Sequence, residues 1–170
     1  KGRVLAVDKD GAAEEVAREL FGSEPRFDFF RGSFAQLPHQ LRGMGIDAVD
    51  GILLDLGVSS PQLDEGERGF SFMQDGPLDM RMDPTKGVSA ALWLAETPER
   101  EISRVFWEFG EERHARRIAR SIVKAREKRR LETTTQLAEL IETTIGNKEK
   151  KHPATRCFQA IRIFVNNELG

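Results

Sequence analysis

Three groups of residues carry chemistry in this chain: carboxylates that end short apolar runs, an aromatic at a similar place, and a one-sided row of cations. Asp8 closes the run Arg3-Val4-Leu5-Ala6-Val7, and Asp55 closes Gly51-Ile52-Leu53-Leu54. Each run reads as a strand buried on both faces. In open α/β sheets ligands bind at the carboxyl ends of strands, and a carboxylate there accepts hydrogen bonds from ribose hydroxyls. The competing reading is structural, since an Asp in that position also caps turns, and Gly57 and Pro61 enforce one after Asp55. Spacing leaves both open. Phe34 follows a further apolar run, residues 27–31, and Gly32-Ser33. It either fills a core or offers a stacking face to a flat base.

The cations lie farther along. Residues 113–130 hold nine Lys/Arg against one acid, Glu127. At about 100° per residue on a helix spanning 111–130, Arg113, Arg116, Arg117, Arg120, Lys124 and Lys128 share a face. Ala115, Ile118, Ala119, Ile122 and Ala125 lie opposite, toward a core. A solvated face normally mixes signs, whereas a single-sign stripe meets phosphate.

The elements that must position these groups follow from the pattern. Asp10 is placed to cap a helix running to about Leu20, with Val16, Leu20 and alanines on its apolar face. Ser33 is placed to cap another, carrying Leu37, Leu41 and Met44, with Pro38 in its first turn. Strand, helix, strand, helix, strand is the order of a doubly wound sheet. From Glu65 periodicity fades. Residues 66–87 interleave Phe70, Phe72, Met73, Leu78, Met80 and Met82 with Arg68, Asp75, Asp79, Arg81 and Asp83, which predicts a long functional or lid-like loop. Helices resume at Thr97-Pro98-Glu99, at the Thr133-x-x-Gln136 capping box, and after His152-Pro153.

Composition bounds the class. The 170 residues are long enough for one sizeable core, and 39% hydrophobic with 32% charged residues marks a soluble globular chain. No apolar run approaches the roughly 20 residues of a membrane helix. One cysteine, Cys157, excludes an internal disulfide framework and fits a reducing, cytoplasmic compartment. His39, His114 and His152 are scattered, so no structural metal is expected. A net charge of −2 leaves the stripe as a local feature and not the sign of a generally basic binder.

Four long motifs make the reading specific: D-G-I-L-L-D-L-G-V-S-S-P-Q-L-D from Asp50, R-G-F-S-F-M-x-D-G-P-L-D-M-R-M-D-P from Arg68, G-E-E-R-x-A-x-R-I-A-R from Gly110, and K-H-P-A-T-R-x-F-Q-A-x-R-I-x-V-N-x-E-L from Lys151. Together they resemble the bacterial S-adenosylmethionine-dependent methyltransferases that modify the cytosine N4 of small-subunit (16S) ribosomal RNA. The resemblance covers nearly the whole chain. It implies an α/β fold: a class I, Rossmann-like methyltransferase sheet with an inserted all-helical domain. The implied organisation is a partial core over 1–64, a loop and helical substrate-binding insert over 65–152, and a helix returning to the core over 153–170. It further implies S-adenosyl-L-methionine as cofactor, with Asp8 on its ribose, Phe34 on its adenine, and Asp55 and Gln62 bordering its methyl and methionine end. Arg113, Arg116, Arg117, Arg120 and Lys124 become RNA contacts, and the partner is small-subunit ribosomal RNA or the small ribosomal subunit, with neither membrane nor DNA. In this fold a first strand with a Gly-rich loop precedes the equivalent of Lys1, and further strands come after that of Gly170. The chain is therefore expected to be an internal portion, weak in cofactor binding by itself. The strands ending at Asp8 and Asp55 would then pair directly, accept another chain, or leave a cleft.

The implied reaction sets demands on the residues. The N4 amino group of cytosine is a poor nucleophile, because its lone pair is delocalised into the ring. Methylation needs in-line placement and an acceptor for an N–H as positive charge develops. Asp55 is one candidate acceptor, with Ser59 and Ser60 able to orient the base; whether Asp55 serves the cofactor, the base or both stays open. The target base must be unstacked, and Phe70, Phe72 and Met80 are expected to cover it. A rival from another class is a non-catalytic RNA-binding or ribosome-assembly module on the same fold. A nicotinamide-dependent oxidoreductase shares Asp8 but leaves the basic helix unexplained.

Overall fold

A computed structural model describes residues 2–147 and 150–169. It is a mixed α/β structure with a small parallel sheet and many helices, divided into two compact units that meet in sequence between Leu56 and Gly57.

The first unit begins with β1 (Val4–Asp8), α1 (Gly11–Phe21) and β2 (Phe27–Arg31). The strands are parallel, from Val4 opposite Phe27 to Asp8 opposite Arg31. A parallel pair needs a crossover, and α1 supplies it. Asp10 starts that helix as expected, its carboxylate accepting the Ala12 N–H at 3.0 Å. Ala17 is buried on α1, but Val16 and Leu20, read as part of its apolar face, are exposed. Ser33 caps in turn, though a 3-10 turn over Phe34–Gln36 intervenes before α2 (Leu37–Gly43), which has Pro38 in its first turn.

The strand expected over residues 51–54 does not form. Among the described residues the sheet has two strands, and Ile52, Leu53 and Leu54 lie exposed, Leu53 at 93%. An extended apolar segment becomes a strand only when neighbours take up its N–H and C=O groups and layers cover its faces. The described residues give this one neither.

The second unit holds α3 (Ser60–Asp64), α4 (Ala90–Glu96), α5 (Glu99–Gly110), α6 (Ala115–Arg126), α7 (Thr134–Ile145) and α8 (Thr155–Val165). Helix α5 packs against α8 and α6, and α6 against α7. Ile102, Val105, Phe106, Ile118, Ile122, Leu137, Ile141 and Ile161 are inaccessible to solvent at their centre. Helix α8, expected to return to the core, packs on α5. Gly110 permits the close approach: a Cβ there would lie 2.5 Å from the Arg156 carbonyl oxygen on α8.

The long loop is a correction. Residues 69–88 contain no regular element of length, yet they are part of the core and not a lid. Met80 is fully buried, Phe70 and Leu78 nearly so, and Phe72 packs edge-on against Phe158 with centroids 4.9 Å apart. Phe70 and Met80 are therefore not available to cover a base in the way the sequence suggested, and Phe72 is half-buried against Phe158. Backbone bonds fasten the loop: Leu78 N–H to Glu132 O, Thr134 N–H to Gly76 O, and Ala90 N–H to Asp79 O. The Asn166 side chain clamps it from α8, donating to Met80 O at 2.7 Å and accepting the Met82 N–H at 2.6 Å. Met80 takes a left-handed φ of 62°, uncommon for a non-glycine residue and held here by bonds on both its N–H and its carbonyl. Hydrophobic periodicity cannot reveal such a segment, because its apolar residues point inward without repeating a helix or strand step.

Candidate functional site

Two of the predicted cofactor residues share one edge. Parallel pairing in register puts the carboxyl ends of β1 and β2 side by side, and the Gly32 N–H donates to Asp8 O at 2.8 Å across them. Asp8 is exposed at this edge. One carboxylate oxygen accepts the Asp10 N–H at 2.8 Å, which fixes the rotamer. Phe34 stands just beyond β2 with its side chain 40% exposed. At 40% exposure Phe34 is not part of a closed core, and Asp8 ends the neighbouring strand of the same parallel pair.

The other two predicted residues are placed differently. Asp55 lies exposed in the segment that forms no strand, and it does not cap the turn after it. That work falls to Ser59, whose hydroxyl accepts the Gln62 N–H at 3.4 Å while the Gln62 side-chain oxygen accepts the Ser59 N–H at 3.1 Å. Gln62 is thus the third residue of a capping box and only 5% exposed. The pattern Ser-x-x-Gln was present to be read as a cap. Gln62 belongs to the second unit, whereas Asp8, Phe34 and Asp55 belong to the first.

The cationic face is built as the helical period demands. Ala115, Ile118, Ala119 and Ile122 are buried, while Arg113, Arg116, Arg117, Arg120, Lys124 and Lys128 line the opposite side. The regular helix is shorter than the expected span of 111–130. Glu111, at a left-handed φ of 51°, ends α5. Buried Glu112 then accepts the His114 N–H at 2.7 Å, placing a carboxylate at the start of α6. Arg113 precedes the helix proper. Arg126 leaves the stripe altogether, its guanidinium donating to the carbonyls of Leu94 and Thr97 at the end of α4. That cation serves a helix terminus.

Beside the stripe lies a groove of about 470 Å³ between α6 and α7, lined by Arg117, Ser121, Lys124, Lys128, Thr143 and Thr144 among others. Sequence reasoning missed its α7 wall. The two adjacent threonines in the last turn of an otherwise amphipathic helix were the available signal. A smaller cavity of about 110 Å³ forms where Glu112 and His114 meet Lys151, His152, Thr155 and Arg156. It marks the contact of the third and fourth motifs, and His152 rests on Phe72 there with centroids 4.5 Å apart.

Comparison with known proteins agrees with these motifs. The model of the MraW methylase family matches residues 1–170. The chain is 60% identical over 170 residues to "Ribosomal RNA small subunit methyltransferase H" of Thioalkalivibrio sulfidiphilus, covering 99% of the chain and 54% of the relative. Proteins of the same name from Acinetobacter baumannii (strain SDF) and Stenotrophomonas maltophilia are each 56% identical, over 98% and 100% of the chain and 54% and 52% of their own lengths. The chain spans about half the length of the curated relatives it matches. It belongs to the MraW methylase family.

Proposed function

We propose that this chain forms part of an S-adenosylmethionine-dependent methyltransferase that modifies the N4 amino group of a cytosine in small-subunit ribosomal RNA. The observation that carries this is identity of 55–60% over nearly the whole chain to relatives whose names state methylation of that RNA. The parallel β1–α1–β2 unit is consistent with a class I methyltransferase sheet. The helices of the second unit are the proposed substrate-binding part.

The residues fit the cofactor at the edge they form. Asp8 accepts hydrogen bonds from the ribose hydroxyls, and its bond from the Asp10 N–H presents it in one orientation. Phe34 offers a face to the adenine. S-adenosylmethionine supplies an electrophilic methyl group on a sulfonium centre. Asp55 is the proposed acceptor for the N4 proton: transfer of the methyl would form the N–C bond as the S–C bond breaks, leaving a neutral thioether, and loss of the proton to Asp55 would keep charge from building up on nitrogen. Gln62 borders the methionine end, with its carbonyl engaged in the capping box and its rotamer thereby set. Arg113, Arg116, Arg117, Arg120 and Lys124 hold phosphates. The proposed site of action is the cytoplasm, on small-subunit ribosomal RNA or on the small ribosomal subunit. Among the described residues no helix is long and apolar enough to cross a membrane.

Mass spectrometry of small-subunit ribosomal RNA from cells lacking the gene tests the reading. Loss of one N4-methylated cytosine, restored by the intact gene and not by an Asp55→Asn version, is the expected result. Unchanged cytosine methylation removes the enzyme and leaves an RNA-binding module.

A further inference from the structure

We propose that the groove between α6 and α7 seats the sugar–phosphate backbone of a single RNA strand, with hydroxyls on both walls distinguishing RNA from DNA. This rests on the ribosomal RNA reading and narrows it to one side of the stripe. On α6 and the turn that continues it, Arg117, Ser121, Lys124 and Lys128 fall within a sector of about 60°, turned toward α7. Arg116 and Arg120 lean the other way, and the Arg120 guanidinium lies 3.6 Å from Glu99 at the start of α5. The stripe is therefore two half-faces, one of them partly neutralised. Among the described residues Arg117, Lys124 and Lys128 have no acidic partner, and no acid lines the groove.

The α7 wall decides the chemistry. The Thr144 hydroxyl is used, donating to Leu140 O at 2.7 Å. The hydroxyls of Ser121 and Thr143 have no protein partner among the described residues and stand at the groove. Three cations with free hydroxyls and no acid suit a polyanion that carries hydroxyls of its own. The cations extend from Arg117 to Lys128, about 16 Å at 1.5 Å per residue. That exceeds the reach of one phosphate and matches several nucleotides. They lie along one line, as a single backbone requires, and a ribose 2′-hydroxyl is what separates RNA from DNA at such a site.

The test compares binding of the protein to a single-stranded RNA of small-subunit sequence, the matched DNA strand and the matched RNA duplex, across a salt series. Lys124→Gln with Lys128→Gln lowers the log–log salt slope by about 1.4, at about 0.7 per lost contact on a single strand. Lys86→Gln with Arg100→Gln, which removes equal charge elsewhere, leaves the slope near the parent value. Ser121→Ala with Thr143→Val weakens RNA binding roughly tenfold and leaves the DNA strand unaffected, the loss of about two modest hydrogen bonds. Equal slopes for the groove pair and the control pair overturn the proposal, as does tighter binding of duplex than of strand. So does equal loss of RNA and DNA binding in the hydroxyl pair. Methyl transfer measured in parallel separates the two readings. Retained cytosine methylation by the parent with an unchanged slope in the groove pair refutes the groove alone. No RNA binding and no methylation by the parent refutes both.

Discussion

At the scale of single residues, the consequences of each carboxylate's environment can be measured. Asp8 is preset by the Asp10 N–H. Charged hydrogen bonds to the ribose, as proposed for Asp8, would contribute roughly 1.5–3 kcal/mol, so Asp8→Ala is expected to weaken S-adenosylmethionine binding roughly ten- to a hundredfold by calorimetry. The melting temperature is expected to change little. Asp75 and Asp79 are shifted for structural reasons. Hydrogen bonds from the Thr135 and Thr133 hydroxyls and the Thr135 N–H hold the Asp75 carboxyl below its ordinary range. Burial pushes the Asp79 carboxyl up, but the Arg81 guanidinium at 2.7–2.8 Å, with the Arg81 N–H and the charge of Arg68, more than offsets that. Both carboxyls thus have a folded pKa below the unfolded value of about 3.9. The stability they contribute is complete above about pH 4 and is lost as pH falls through the folded values. Melting curves between about pH 5 and 2 are expected to show an acid limb that flattens in Asp79→Asn; an unchanged limb removes the assignment. Caps are legible at this scale, since Asp10, Ser33 and Thr133 each bond the near N–H groups that their types imply. Gln62 is less so: a ligand role and a capping box begin from the same side-chain oxygen, and in the structure that oxygen closes the box.

At the scale of elements, helices with a clear apolar period are readable and the loop between them is not. Helices α5, α6, α7 and α8 follow from repeating buried positions and from Gly or Pro punctuation. Ends drift where a single residue intervenes, as Glu111 does between α5 and α6. The segment 69–88 reads as a lid in sequence because what orders it is remote: Glu132, Thr134 and Asn166 supply its partners. Asn166 is the most exposed to test. Removing its amide orphans the Met80 carbonyl and the Met82 N–H, both part of a buried stretch, at about 1–3 kcal/mol each. Asn166→Ala is expected to lower unfolding free energy by about 2–4 kcal/mol in urea titration, with the slope against denaturant unchanged. Asn166→Asp is expected to recover part of it, since a carboxylate still accepts the Met82 N–H while losing the donor to Met80. A loss no larger than that of an average surface substitution, about 0.5 kcal/mol, rules out the clamp.

At the scale of the whole molecule the two units differ in how completely they bury their apolar residues. The helical unit has a continuous core running from Phe70 to Ile161. In the first unit Ala17 is the one buried hydrophobic residue among those described, and Val4, Val16, Leu20, Val49 and residues 52–54 are exposed. At about 25 cal/mol per Å² of apolar area, that contrast puts most of the stabilisation in the second unit. The contrast is partly legible in sequence, because the motifs of the helical part bring their own partners while the apolar runs ending at Asp8 and Asp55 are patterned for a sheet with covered faces. The missing ladder at residues 51–54 is not legible in the run itself, since apolar side chains carry no information on whether a neighbour is present; only the family resemblance put an unpaired segment among the expected outcomes. Amide exchange of the 170-residue chain tests the contrast. Slow exchange, approaching the global unfolding free energy, is expected for the buried turns of α5, α6, α7 and α8. The β1–β2 amides are expected to exchange several orders of magnitude faster, and those of residues 51–54 at close to the unprotected rate, because no carbonyl among the described residues holds them. Protection of residues 51–54 equal to that of α5 would show that this segment has a partner in solution, and with it the sheet edge that Asp55 is expected to terminate. Adding S-adenosylmethionine then becomes informative: if Asp8 and Phe34 bind it, protection rises first in the amides of residues 31–34 and 8–12, and leaves α5–α8 unchanged.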